Sequence, residues 1–121
     1  MLIDLIDDLV RQGTPADQIT LGGFSQGCIM TMDVGLRYPQ KLAGLVGISG
    51  CIIEPEILFS ELAMVAKEQR VLMTHGPHDE VIEFSLTRRQ VKLMQRAGLK
   101  VQWNEFPKGH TFHGEEELVG E

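Results

Sequence analysis

The feature that most constrains this chain is a five-residue stretch, Gly23-Phe24-Ser25-Gln26-Gly27. It matches the pattern G-x-S-x-G, in which a serine sits on a sharp turn between a strand and a helix with its hydroxyl clear of the sheet. Both glycines are expected because a side chain at either position would collide with the neighbouring chain. Alone, the pattern also fits an ordinary glycine-rich turn, but residues 19–21 read as a strand and 26–38 as a helix. This context favours Ser25 as a nucleophile.

Helical and strand patterns alternate along the rest of the chain. Helices are predicted over 1–12, 26–38, 57–67 and 84–97, with a further one beginning near 115, and strands over 19–21, 42–49, 71–75 and 101–106. Such alternation is typical of an α/β domain with a parallel sheet. Short right-handed crossovers favour strands laid side by side in chain order. We therefore expect one domain, residues 1–121, with about four parallel strands, crossover helices mainly on one face and the other face bare.

Charge and apolar content exclude several classes of protein. The net charge of −6 at pH 7 argues against a nucleic-acid partner, which would require a clustered basic face. Three aspartates lie within the first eight residues, whereas a secretory signal has a basic region followed by an apolar one. The longest apolar region, 42–53, is too short and glycine-rich to span a bilayer. We predict a cytoplasmic protein with no integral membrane segment.

The two cysteines, Cys28 and Cys51, do not have the spacing of a metal site. In an intracellular protein, isolated cysteines usually behave as small apolar residues. We therefore expect both to be buried, with neither a disulfide nor a redox pair between them.

An activated serine needs a base within hydrogen-bond reach, and the base needs a carboxylate that orients it. Catalytic groups in open α/β sheets lie at the carboxyl ends of strands. Asp79 follows the strand that ends at His75, and His110 follows the last strand. The order serine, acid, histidine is the one that α/β-hydrolases use. We predict Ser25 as nucleophile, Asp79 as acid, His110 as base and the backbone N–H of Gln26 as an oxyanion donor.

Neighbouring residues leave alternatives open for two of these roles. Glu80 is a rival for the acid and His113 is a rival for the base. His75 and His78 have weaker claims because they lie in the segment that supplies the acid, and His75 is expected to bond the backbone at its strand end. The spacing of the histidine pairs does not match an established zinc pattern, so no metal site is expected.

In combination these motifs resemble carboxylesterases of the acyl-protein thioesterase and phospholipase/carboxylesterase family. The resemblance rests on G-F-S-Q-G at 23–27, H-G-P-H-D-E-V at 75–81 and G-H at 109–110. It implies a partial α/β-hydrolase fold, the roles already given to Ser25, Asp79 and His110, and no cofactor. The implied substrates are small carboxylic esters, acyl thioesters or lysophospholipids. Only the later part of the family's length is matched, so we expect a truncated or minimal domain that lacks the early strands and the loop with a second oxyanion N–H.

The sequence thus predicts a serine carboxylic-ester hydrolase that works through an acyl-enzyme. The alternative is a catalytically impaired hydrolase remnant that acts as a folded binding or oligomerisation module, and a third hypothesis is a fragment of a longer esterase. A bare sheet face would expose apolar side chains, and the strand before Ser25 would form a sheet edge. We therefore expect the chain to form a homo-oligomer through that face or that edge.

Overall fold

The computed structural model describes residues 2–110, along which helices and strands alternate. The helices are α1 (Leu2–Arg11), α2 (Gln26–Gly35), α3 (Pro55–Ser60) and α4 (Phe84–Arg96), and the strands are β1 (Thr20–Phe24), β2 (Gly44–Ile48), β3 (Arg70–His75) and β4 (Lys100–Glu105). Short 3-10 helices at Ala16–Gln18 and Met64–Glu68 precede β1 and β3. The helix predicted near 115 lies outside the described residues. No helix within residues 2–110 is long and apolar enough to cross a membrane.

The four strands form a single parallel sheet in the order β1-β2-β3-β4, as predicted. In the register of this sheet, Leu45 of β2 lies beside Leu21 of β1 and Val71 of β3. Neighbouring positions in register share a face, so these three buried side chains line the same side of the sheet. The carboxyl ends of all four strands meet at one edge, and the segments that carry Ser25, Asp79 and His110 begin there.

The helices pack on the face that carries Leu45. A Cβ added to Gly35 of α2 would lie 2.4 Å from the Leu45 side chain, and one added to Gly47 would lie 2.6 Å from Cys28 Sγ. Glycine at both positions therefore lets α2 approach β2 closely. The core between helices and sheet includes Met32, Leu36, Met73, Val91 and Met94.

The opposite face of the sheet is more open in the described part of the chain. Val46 and Leu72 are half-buried there, and Gly22 and Gln102 are exposed, whereas Ile48 and Thr74 are buried on the same face near the carboxyl ends of β2 and β3. The prediction of about four parallel strands with crossover helices mainly on one face is thus confirmed.

The helix predicted over 57–67 is wrong in its extent. Helix α3 ends at Ser60, and a 3-10 helix begins only at Met64. Between them Ala63 has an extended backbone and donates its N–H to the Leu36 carbonyl at 3.0 Å. This contact with the end of α2 takes Ala63 out of helical geometry. The other predicted elements differ from the observed ones by no more than three residues at either end.

Candidate active site

Ser25 lies in the turn between β1 and α2 with a strained backbone of positive φ, φ 58° and ψ −113°. Its N–H donates to the Ile48 carbonyl at 2.9 Å, which ties the turn to the end of β2. A Cβ on Gly23 would lie 2.1 Å from the carbonyl carbon of Gly27, whereas a Cβ on Gly27 would meet no atom within 4 Å. The expectation that both glycines avoid a collision is therefore correct for Gly23 and wrong for Gly27. The turn brings the backbone of Gly27 against Gly23, whereas a side chain at position 27 would point into open space.

A chain of two hydrogen bonds joins Ser25 to a histidine and a carboxylate. His110 Nε2 lies 2.8 Å from Ser25 Oγ, and His110 Nδ1 lies 2.8 Å from Asp79 Oδ2. The imidazole also packs beside the ring of Phe24, with 4.8 Å between ring centroids. The structure thus brings together the three residues that the sequence singled out, in the order serine, histidine, aspartate.

The Asp79 carboxylate is fully buried and accepts several hydrogen bonds. Its Oδ1 accepts the backbone N–H groups of Val81 and Ile82, each at 2.8 Å. Burial acts to raise the pKa of Asp79, but the hydrogen bonds from Ile82, His110 and Val81 outweigh it and hold the pKa below its ordinary value. Asp79 is therefore ionised at neutral pH. Because a carboxylate only accepts, His110 Nδ1 carries the proton and its Nε2 lone pair faces the Ser25 hydroxyl.

The loops after β3 and β4 hold each other through their backbones. The Phe106 N–H donates to the His75 carbonyl, and the His78 N–H donates to the Lys108 carbonyl, both at 3.1 Å. A Cβ on Gly76 would lie 2.1 Å from that Lys108 oxygen, so only glycine allows this approach. These contacts place the acid loop beside the segment that ends at His110.

Lys108 is a buried residue that sequence reasoning did not single out. It is only 4% exposed, and its Nζ donates to Ser49 Oγ at 2.9 Å. Ser49 follows β2, is fully buried and has a φ of 54°. Lys108 thus links the segment before His110, which follows β4, to the end of β2. It reaches across the end of β3, which lies between these two strands in the sheet. The only signal in the sequence is its position two residues before His110, since lysine normally indicates an exposed site.

Helix α4 fixes the loop on which the serine turn rests. Thr87 Oγ1 donates to the Gly50 carbonyl at 2.8 Å, and the buried Gln90 amide bonds both the N–H and the carbonyl of Ile52, at 2.8 and 2.9 Å. A Cβ on Gly50 would lie 2.9 Å from the Ser25 carbonyl oxygen. These polar side chains also gave no sequence signal, because their partners are distant backbone groups.

None of the rival residues that the structure describes replaces a member of the Ser25–His110–Asp79 chain. Glu80 and His78 are exposed, and His113 lies beyond the described residues. His75 is fully buried and bonds the Ile82 carbonyl through Nε2, as expected for a strand-end histidine. Within residues 2–110, no three His, Cys, Asp or Glu side chains are grouped so as to hold a metal ion.

Both cysteines are free thiols, and only Cys28 is fully buried. Burial, reinforced by the neighbouring Cys51, raises the pKa of Cys28 to about 12. Cys51 is half-buried, so the expectation of burial is wrong for it in part. Neither thiol takes part in the hydrogen-bond chain at Ser25.

Gln26 is the first residue of α2. The first N–H groups of a helix have no carbonyl partner within the helix. The backbone N–H of Gln26, directly after the serine, is one of these groups.

Comparisons with known proteins agree with this architecture. A model of the phospholipase/carboxylesterase family matches residues 1–117. Acyl-protein thioesterase 1 of Schizosaccharomyces pombe is 39% identical over 93 residues, which make up 77% of this chain and 42% of that protein. Its namesake in Neurospora crassa is 35% identical over 112 residues, covering 89% of this chain and 45% of that protein. The chain therefore spans less than half the length of these two curated relatives.

Solved structures show the same fold over almost the whole chain. The crystal structure of SOBER1 from Arabidopsis thaliana superposes with a TM-score of 0.89 at 26% identity, covering 98% of this chain and 57% of that one. The crystal structure of esterase PE8 gives 0.88 at 29% identity, covering 98% and 55%. With the family match and the parallel sheet in chain order, these similarities establish that the chain belongs to the phospholipase/carboxylesterase family and has the α/β-hydrolase fold.

Proposed function

We propose that this chain carries the nucleophile, base and acid of a carboxylic-ester or thioester hydrolase, in Ser25, His110 and Asp79. The observation that carries the proposal is the pair of 2.8 Å hydrogen bonds that connects them. Family membership supports it, since relatives of this chain are named as acyl-protein thioesterases and carboxylesterases. The three residues come from three separate strand ends, where α/β folds place their catalytic groups.

In the first half-reaction, the proton of Ser25 Oγ moves to His110 Nε2 as Oγ attacks the acyl carbonyl carbon. Asp79 stabilises the imidazolium that forms and keeps its Nδ1–H pointed away from the serine. The negative charge on the carbonyl oxygen lies toward the Gln26 N–H. When the tetrahedral intermediate collapses, His110 Nε2 gives the proton to the departing alcohol or thiol, and the acyl group stays on Ser25.

In the second half-reaction, water takes the place of the serine oxygen. His110 removes a proton from the water as it attacks the acyl-enzyme, and then returns a proton to Ser25 Oγ as the acid leaves. Every proton is moved by His110, so the scheme requires no cofactor. Substrates of this chemistry include small carboxylic esters, acyl thioesters and lysophospholipids.

The test is the intact mass of the protein after exposure to a fluorophosphonate, which reacts with activated serines. We expect one adduct in the parent chain and none in Ser25→Ala. His110→Ala should slow adduct formation by ~10²–10⁴-fold, the usual contribution of a general base. His78→Ala is the matched control, since this exposed histidine lies in the acid loop. No adduct in the parent chain would reject the proposal and favour a hydrolase-like module that binds without turnover.

Self-association and location remain predictions. The face with the half-buried Val46 and Leu72, and the edge strand β1, are the surfaces that a second copy of this chain would cover. Light scattering across a dilution series tests this prediction, and a monodisperse monomer would contradict it. Cell fractionation tests the predicted cytoplasmic location.

A further inference from the structure

A second histidine lies close to the proposed acid, with its Nε2 3.3 Å from Asp79 Oδ2. His75 is the last residue of β3 and has no exposed surface. Its ring packs in a triangular cluster with two aromatic side chains, with centroids 6.0 Å from Phe84 and 6.4 Å from Trp103, which are 5.8 Å from each other. These neighbours restrict the orientation of the imidazole.

The hydrogen bonds of His75 determine its tautomer. Nε2 lies 2.8 Å from the Ile82 carbonyl, which can only accept, so Nε2 carries the hydrogen. Nδ1 carries only a lone pair, and this buried acceptor has no hydrogen-bond partner within the described chain. Burial lowers the pKa of His75 and outweighs its hydrogen bond to Ile82 and the attraction of Asp79, both of which act to raise it. His75 is therefore a neutral N–H donor.

This donor is connected to the Asp79 carboxylate through Ile82. The Nε2 atom of His75 lies 3.3 Å from Asp79 Oδ2, the same oxygen that accepts the Nδ1–H of His110. His75 binds the carbonyl of Ile82, and the N–H of Ile82 in turn donates to Asp79 Oδ1 at 2.8 Å. His75 thus fixes the loop that binds Oδ1, and its one N–H is donated to the Ile82 carbonyl although Nε2 also lies near Oδ2.

We propose that His75 is a positioning residue: by donating its Nε2–H to the Ile82 carbonyl, it holds the loop that binds Oδ1 of Asp79 and so keeps Oδ2 turned toward His110. An imidazolium at this place would compete with His110 for the carboxylate charge, whereas a neutral His75 leaves that charge to His110. The proposed function supplies the reason why this orientation matters, but the orientation itself can be measured without turnover.

Three variants separate positioning from packing. His75→Phe keeps an aromatic ring against Phe84 and Trp103, and it replaces both ring nitrogens by carbon. His75→Gln places an amide N–H the same number of bonds from Cβ as Nε2 and cannot become charged. His78→Gln is the control, an exposed histidine three residues further along the same loop. Thermal unfolding is followed for each variant.

The first readout is NMR of protein labelled with 15N-histidine. In the parent chain we expect His75 in the neutral Nε2–H tautomer and a downfield Nδ1–H signal from His110. The His110 signal should exchange with water faster in His75→Phe and remain protected in His75→Gln and His78→Gln. A charged or Nδ1–H tautomer of His75 in the parent chain would overturn the proposal even if no variant folds.

The second readout is the rate of fluorophosphonate adduct formation at Ser25. A misplacement of about 1 Å can reduce a rate ~10²-fold, so we expect a ~10- to 100-fold loss in His75→Phe and recovery in His75→Gln. An unchanged rate and an unchanged His110 signal in folded His75→Phe would reject the positioning role. If the parent chain forms no adduct but the NMR results are as expected, the proposed function fails and the role of His75 in orienting Asp79 stands.

Discussion

The serine turn and the two loops that carry Asp79 and His110 are built by contacts of different range. In the turn, the tightest approach joins Gly23 and Gly27, and the Ser25 carbonyl accepts the N–H groups of the next helical turn. His110, in contrast, bonds partners 31 and 85 positions away along the chain. The shape of the serine turn thus depends mainly on local sterics, with one bond from the Ser25 N–H to Ile48 joining it to β2, whereas the base is placed by contacts that exist only in the assembled sheet.

The largest expected change in stability comes from Gly23→Ala, which tests the local contacts of the serine turn. The added Cβ would lie 2.1 Å from backbone, which cannot move aside as a flexible side chain can. We expect a loss of more than ~3 kcal/mol in the free energy of unfolding, above the usual range for overpacking. Gly27→Ala is the matched control and should change stability by less than ~1 kcal/mol, because its Cβ points into open space and alanine favours a helix. Urea denaturation measures both, and equal losses would show that the turn does not depend on Gly23 alone.

The next largest change in stability is expected for Gln90→Leu, which tests a long-range contact between α4 and the loop after β2. The substitution removes the amide that pairs with the N–H and carbonyl of Ile52 and leaves these groups without that partner. An unsatisfied buried backbone group costs about 1–3 kcal/mol, so we expect unfolding to become easier by about 2 kcal/mol. Gln102→Leu, on the exposed side of β4, should leave the urea midpoint nearly unchanged. If Gln90→Leu behaves like this control, α4 does not hold the loop beneath the serine turn.

A smaller effect is expected for the link between Lys108 and Ser49. Lys108→Met keeps the aliphatic stem and removes the ammonium, and a double-mutant cycle with Ser49→Ala isolates the 2.9 Å hydrogen bond. We expect a coupling energy of about 1 kcal/mol, because the gain from a charged hydrogen bond is offset by desolvation of the ammonium. Additive effects of the two substitutions in urea denaturation would show that Lys108 does not tie the His110 segment to β2.

The smallest effect concerns the acid loop, which combines both kinds of contact. Asp79 accepts from its near neighbours Val81 and Ile82 and from the distant His110. Its pKa is lower in the folded state than in the unfolded chain, where it is about 4. The resulting stabilisation is complete above that value and is lost as pH falls through the folded pKa. Asp79→Asn should therefore show a flatter fall in unfolding free energy below pH 5, whereas the exposed Asp17→Asn should follow the parent chain.

Much of the fold could be predicted from local patterns in the sequence. The turn at Ser25, the helix at 84–96 and the four strands follow from periodicity and from glycine at tight positions, which depend on residues a few places apart. The break at Ala63 could not be predicted in this way, because it results from a hydrogen bond to Leu36 across the fold.

The features of the site likewise fall into those that the sequence predicts and those that depend on the tertiary structure. The sequence by itself determined the serine turn, the chain order of Ser25, Asp79 and His110, and the strand ends at which they lie. Only the tertiary structure decided that Asp79 faces His110 while Glu80 is exposed, that His75 lies close to the acid, and that Lys108 is buried against Ser49. The physical reason is that a loop has no periodicity of its own. Its side chains are directed by the backbone groups of neighbouring strand ends, which become neighbours only when the sheet has formed.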